Sequence, residues 1–211
     1  MKRITLFSIV IFFGLIIFTG CSKKQAGLEV VITDDTPVHI KYDVSGKNPG
    51  SLDIFYKGKN VKMLVVMSKE GQSMNVNLYI KDNFMYYVIE GDTNGIKSNI
   101  SNNEFYKTFG IIFNVKDKLN GFEKTGSEDI LGYKCDSYKT KEGDLLSVYK
   151  ERILFKNISK DVSMTAILFE ANVKIADDIF EIPKKVNFVD MDKMHNMDNM
   201  KDMPGMHDMM K

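Results

Sequence analysis

The sequence predicts a mainly β (α+β) fold: one large antiparallel sheet, interrupted once by a helix. Three observations predict it. Between residues 38 and 89, apolar and polar residues alternate in successive runs, the pattern of a sheet with one face on a core and one toward water. Clusters of Gly, Asn, Asp, Ser and Pro separate those runs, as turns between strands require. A single stretch, 101–121, changes to the period of an amphipathic helix.

Taken in order, a short first strand is expected at 28–32. In the next run Val38, Ile40, Tyr42 and Val44 point one way, and His39, Lys41 and Asp43 point toward solvent. Ser45-Gly46-Lys47-Asn48-Pro49-Gly50 turns the chain into Leu52, Ile54 and Tyr56. Gly58-Lys59-Asn60 turns it again into 61–67, and Glu70-Gly71 into the next strand. There Met74, Val76, Leu78 and Ile80 alternate with Asn75, Asn77, Tyr79 and Lys81 for four periods. Asp82-Asn83 leads into Phe84–Ile89, apolar on both faces. Ser101-Asn102-Asn103-Glu104 fits a capping box. Phe105, Phe109, Ile112 and Phe113 then form one helical face, and Leu119-Asn120-Gly121 stops it. Strands resume at 132–140, 144–149, 153–156 and 164–172, and 179–183 closes the domain.

The amino terminus predicts export. Lys2 and Arg3 precede an apolar run, 4–18, that is shorter than the roughly eighteen to twenty residues a membrane-spanning helix needs. Phe18-Thr19-Gly20-Cys21 resembles the bacterial lipobox, which implies cleavage before Cys21 and diacylation of its thiol. Acyl chains contribute roughly 0.8 kcal/mol per buried CH2, so such a cysteine anchors the protein to a membrane facing the periplasm or the cell exterior. Ser22 after the cysteine favours the outer membrane in a cell with two, by the same resemblance. The expected organisation is a signal peptide at 1–20, a lipidated tether at 21–34, a domain at 35–190 and a tail at 191–211.

The formal net charge is +1, and removing Lys2 and Arg3 takes it to −1. That balance excludes a nucleic-acid footprint. With Cys21 lipidated, Cys135 is left alone and has no disulfide partner. It sits on a predicted strand without a nearby histidine, so it reads as a buried structural thiol.

The tail carries the sequence's clearest chemistry. Methionine stands at Met191, Met194, Met197, Met200, Met203, Met206 and Met209, a strict step of three, with Met210 beside the last. On a helix that step drifts around the axis, and on a strand it matches no face, so the segment predicts no buried stripe. Thioethers left out of a core are soft, neutral ligands that select Cu(I) or Ag(I), and His195 and His207 can complete a site. Thiolates would be oxidised outside the cytoplasm, whereas thioethers keep binding. The stretches 194–198 and 203–210 resemble the methionine-rich motifs of bacterial copper-resistance and copper-carrier proteins. That resemblance implies a copper donor or acceptor protein as partner, with metal sequestered or handed over. The plainer alternative is a flexible tail that only absorbs oxidation.

The middle of the chain resembles another family. Ile130-Leu131-Gly132-Tyr133-Lys134-Cys135-Asp136-Ser137-Tyr138 is similar to the "G-Y-x-C-x-x-Y" strand of bacterial domains related to the lipoprotein carriers and receptors of the LolA/LolB type. Asp178-Ile179-Phe180-Glu181-Ile182-Pro183 is similar to their closing strand. The resemblance implies a curved, incomplete barrel whose concave face is covered by one or more helices and can hold acyl chains. Phe84, Tyr86, Phe105, Phe109 and Phe113 are then candidates to line an apolar-ligand site, although each is first a core residue. Arg152 is the only arginine after residue 20, and tryptophan is absent, so the arginine latch of the soluble carriers has no counterpart on an early strand.

No nucleophile motif, phosphate loop or structural zinc spacing occurs, and the protein reads as a non-enzyme. Two functions of different class follow. One is Cu(I)/Ag(I) binding by the tail; the other is binding of an acyl chain or lipoprotein, or sensing of the envelope, by the half-barrel.

Overall fold

The computed structural model describes residues 30–69, 72–103, 106, 112 and 115–194. Its strands are β1 (Val38–Gly46), β2 (Gly50–Lys57), β3 (Asn60–Lys69), β4 (Gln72–Lys81), β5 (Phe84–Ile89), β6 (Asn94–Asn99), β7 (Glu123–Ile130), β8 (Tyr133–Lys139), β9 (Leu145–Tyr149), β10 (Ile153–Ile158), β11 (Val162–Ala171) and β12 (Asn187–Asp190). They form one open, curved sheet in the order β12-β6-β5-β4-β3-β2-β1-β11-β10-β9-β8-β7.

Two antiparallel meanders, β1–β6 and β7–β11, meet where β1 pairs with β11. The chain leaves β6 near one edge of the sheet and re-enters at β7 on the other. The connection therefore crosses the sheet, and its short helix Val115–Leu119 buries Val115 and Leu119 in the core. Register shifts at Lys41/Tyr42, Lys124/Gly126 and Leu154/Lys156 interrupt the ladders. Bulges of this kind bend a sheet and deepen its twist, which gives the sheet its inside.

Alternation decides which residues fill that inside. Ile40, Tyr42, Ile54, Met63, Leu78 and Met85 are buried on the concave face, each opposite another core residue across its ladder. Burying each such side chain contributes roughly 1.5–3 kcal/mol. On the β8–β11 side, Tyr133, Tyr149, Phe155 and Phe169 pack ring against ring, with centroids 5.0–5.9 Å apart. The outer face is covered only in part. After β11 the chain returns across it through a 3-10 turn, Asp177–Phe180, burying Ile175 and Phe180. Tyr79 and Val88, also buried, point to this face by strand alternation. β12 then joins β6 in parallel, the one such pairing among the described residues.

Several expectations are corrected. Residues 30–32 form no strand, and the closing segment at 179–183 is a 3-10 turn followed by irregular chain, because its apolar side chains pack under the sheet instead of pairing with it. Asn103 accepts the N–H of Tyr106 at 2.9 Å, and Glu104, the partner of Ser101 in the expected capping box, lies outside the described residues. His39 is not simply solvated. Its ring stacks on Phe55 at 4.3 Å, and its nitrogens meet Asp53 at 2.7 Å and Glu170 at 2.9 Å. Cys135 is fully buried, facing the core with Tyr133. Cys21, the tail from His195 onward (with Met197, Met200, Met203, Met206, His207, Met209 and Met210) and Phe105, Phe109 and Phe113 lie outside the described residues.

Candidate functional site

The site begins with the tight turns at one end of the sheet. Gly58-Lys59 joins β2 to β3 and Asp82-Asn83 joins β4 to β5, each spanning only two residues. Asp82 and Asn83 both adopt positive φ, as the primed hairpin turn demands, and short polar side chains tolerate it. Turns this short add little height at the sheet's end. The segment before β1 and the crossing connection close over that end, leaving a cavity of about 720 Å3 between them and the sheet.

Its floor is apolar: Val38 from β1, Val61 from β3, Ile80 from β4 and Ile153 from β10, with Ile112 and Val115 as the cover. Tyr56 lies under the cover and donates its hydroxyl to the carbonyl of Ile112 at 3.2 Å. Burial pushes that phenol well above its ordinary range, so it stays neutral. The lip is polar. Arg152 forms an ion pair with Asp34, tying the segment before β1 to the β9–β10 turn. Lys59, Asp82, Lys116 and Asp117 complete the lip with charges of both signs. A half-open trough of this size, aliphatic on its floor and polar or charged over the rest of its lining, falls within the range of ligand pockets, roughly 300–1,000 Å3, and offers both kinds of surface that an amphiphile needs.

The aromatic candidates divide. Phe84 and Tyr86 do not line the cavity. They alternate onto the outer face, where Lys97 lies over both rings, at 3.9 Å and 5.9 Å, and Phe188 meets Tyr86 edge-on at 5.3 Å. Their apolar run gives no clue to which face they take, because Met85 and Val88 are the buried positions. The aliphatics on the cavity floor come singly from distant strands and turns, which no linear motif links, and the aromatics that join them are Tyr56 and Tyr106.

The first metal candidates are placed at the sheet's edge. Met191 and Met194 lie in a single helical turn, Met191–Met194, directly after β12. Among the described residues no group of three or more His, Cys, Asp or Glu is arranged to hold a metal ion. Burial and the neighbouring carboxylates Glu128, Asp129 and Asp136 push the Cys135 thiol up to about 12.

Comparison with known proteins bears on the fold. An uncharacterized conserved protein from Thermus thermophilus superposes with a TM-score of 0.52 at 9% identity, covering 74% of this chain and 91% of that one. The two share a fold. PNGF-II gives a TM-score of 0.46 at 11% identity, covering 77% of this chain and 33% of its own. The LolA superfamily protein NE2245 from Nitrosomonas europaea gives 0.35 at 9% identity, covering 73% and 93%. Both of these fall below the level at which superposition defines a common fold. No protein-family model matches the chain, and neither does any curated protein.

Proposed function

We propose that this protein is an envelope lipoprotein whose curved sheet takes up an apolar or amphiphilic ligand, of the acyl-chain class, in the cavity under the crossing connection. The observation that carries this reading is the cavity itself: about 720 Å3, aliphatic below and charged at the lip. Apolar surface kept open to water in a folded domain costs free energy, and a ligand that covers it recovers that cost. The activity is binding without catalysis. Diacylation of Cys21 would hold the domain at the membrane from which such ligands come.

The test is a titration of the full chain with N-phenyl-1-naphthylamine, a dye that fluoresces in apolar sites, followed by displacement with lysophospholipid. Saturable, displaceable binding is expected. Ile153→Trp, at a half-buried position on the cavity floor, should abolish it without unfolding the protein. Dye binding unchanged in that variant would remove the cavity as the site. Mass analysis of the membrane-extracted protein tests the anchor, since Cys21→Ala should release it into the soluble fraction.

A second reading is favoured by one specific observation, the step of three from Met191 to Met209. In it the tail binds Cu(I) or Ag(I) and passes it to, or takes it from, a partner protein. Cu(I) titration against a competing chelator should give binding near one or two equivalents. Changing Met197, Met200, Met203 and Met206 together to Ser should remove most of it, and equal binding by both chains would end this reading.

A further inference from the structure

The lip of the cavity carries its charges in opposed pairs. β3 pairs with β4 so that Val61 stands opposite Ile80, and both side chains belong to the cavity floor. Continuing that register by two residues sets Lys59, in the β2–β3 turn, opposite Asp82, in the β4–β5 turn. Alternation keeps these two on the face of Val61 and Ile80, and both line the cavity. Both are exposed, and neither forms an ion pair with another described residue. Asp35 comes close to Gly58 of the same turn but does not line the cavity. On the cover, Lys116 and Asp117 add a second cation and anion, whereas Arg152 and Asp34 are already paired with each other.

We propose that the ligand of the cavity is a phospholipid with a zwitterionic headgroup, its phosphate held by Lys59 and its ammonium by Asp82. The inference rests on the reading of the cavity as an apolar-ligand site, and adds the headgroup that the lip selects. A lone anion, such as a fatty-acid carboxylate, gains from Lys59 but meets the Asp82 carboxylate beside it. A lone cation meets the reverse. Like charges set against each other disfavour the wrong partner, so a group that carries both charges a few bonds apart is the one that suits both sides. Asn60 and Asn83, next to those two residues, also line the cavity, and their amides can donate to phosphate oxygens.

The sheet sets the spacing. Neighbouring strands lie about 4.8 Å apart, so β3 and β4 present the two charges side by side at a separation that one headgroup spans. The lysine stem is flexible and can bring its ammonium onto the phosphate. Because these charges stand at an exposed lip, each contributes modestly and is screened by salt. Affinity then comes from the aliphatic floor, and selectivity from the lip.

The test displaces N-phenyl-1-naphthylamine from the full chain with two lysolipids of one acyl chain, lysophosphatidylethanolamine and lysophosphatidylglycerol, each below its micelle concentration. Both carry the phosphate, and only the first carries an ammonium. At low salt the ethanolamine lipid should bind about fivefold more tightly, the size of one exposed ion pair. The preference should shrink at about 1 M salt, where charges are screened within about 3 Å. Asp82→Asn should erase it, and asparagine accepts the positive φ of that turn, so the hairpin is kept. Lys59→Gln should weaken both lipids alike. Equal affinity of the two lipids for the wild type, or tighter binding of the glycerol lipid, overturns the proposal. So does a preference that survives Asp82→Asn, or a Lys59→Gln chain that binds both lipids as the wild type does. Each of those results leaves the cavity reading standing. Dye that does not bind the wild type, or that neither lipid displaces, removes the cavity reading and this inference with it.

Discussion

The hydroxyl of Tyr42 on β1 donates to the backbone carbonyl of Leu154 on β10 at 2.6 Å, reaching past the strand that separates them. Tyr42 is fully buried, and Leu154 borders the register shift between β9 and β10. The bond thus joins the two meanders at a point where the ladder is irregular. Removing one partner of a buried hydrogen bond leaves the other unsatisfied, at about 1–3 kcal/mol. Tyr42→Phe should lower the urea midpoint accordingly with an unchanged slope. A midpoint equal to that of the wild type would show that the carbonyl finds another donor.

Phe155 is the hub of the ring cluster, fully buried with Tyr133, Tyr149 and Phe169 around it. Phe155→Ala removes the ring from a site that cannot fully collapse, and should cost about 3–5 kcal/mol. Calorimetry would show this as a large drop in Tm. A loss below about 1 kcal/mol would mean that the cluster repacks.

Glu128 on β7 accepts the Ser147 hydroxyl and, at 3.0 Å, the Lys156 ammonium. Chiefly the Ser147 bond, and then Lys156, hold its carboxyl below the ordinary value of 4.5. The unfolded chain binds this proton more readily than the native one. The stabilisation is therefore complete at neutral pH and is lost as pH falls through 4.5 toward the lower native value. Glu128→Gln should be less stable than the wild type at pH 7, and the gap should close in acid. A gap independent of pH would refute the assignment to charge.

Cys135 should resist alkylation. With its thiol fully buried and pushed up to about 12, almost no thiolate forms at pH 8. Iodoacetamide should label it only at the rate of unfolding, and promptly in 6 M guanidinium. Rapid labelling of the native protein would show that β8 opens.

Gly95 on β6 has no room for a side chain. A Cβ there would sit 2.6 Å from the Phe188 ring and 2.7 Å from the Tyr87 carbonyl oxygen. Gly95→Ala should push β12 off the sheet while β1–β5 hold. Hydrogen exchange would show faster amides at 187–190 alone; uniform acceleration across the sheet would contradict it.

The sequence made the first half of the sheet legible because its strands alternate cleanly. From Val38 to Ile80, the apolar positions read from the pattern are buried in or packed against the core, except Met74 at the start of β4, which is exposed. β6 and β7 escaped it. β6 has one large apolar residue, Ile96, and β7 reads Glu-Lys-Thr-Gly-Ser-Glu-Asp before Ile130, so neither presents a period. β7 is an edge strand held through β8 and by the ion pairs of Lys124 and Glu128, and an edge rich in charge also discourages pairing with other molecules. β12 was hidden because a parallel partner depends on where the returning chain arrives, not on local pattern. For the site, the sequence pointed to aromatics, whereas Val61, Ile80 and Ile153 are ordinary strand residues that become neighbours only when turns from opposite halves close one end.

That the described chain lines the cavity from Ile32 at its start, and ends at residue 194 next to β6 and its Asn99, has a practical corollary for anyone handling the protein. A fusion joined directly after residue 194 would start beside the opening it was meant to leave undisturbed. The β1–β2 hairpin around Asn48, at the far pole of the sheet, is the better graft point for an epitope or a surface linkage.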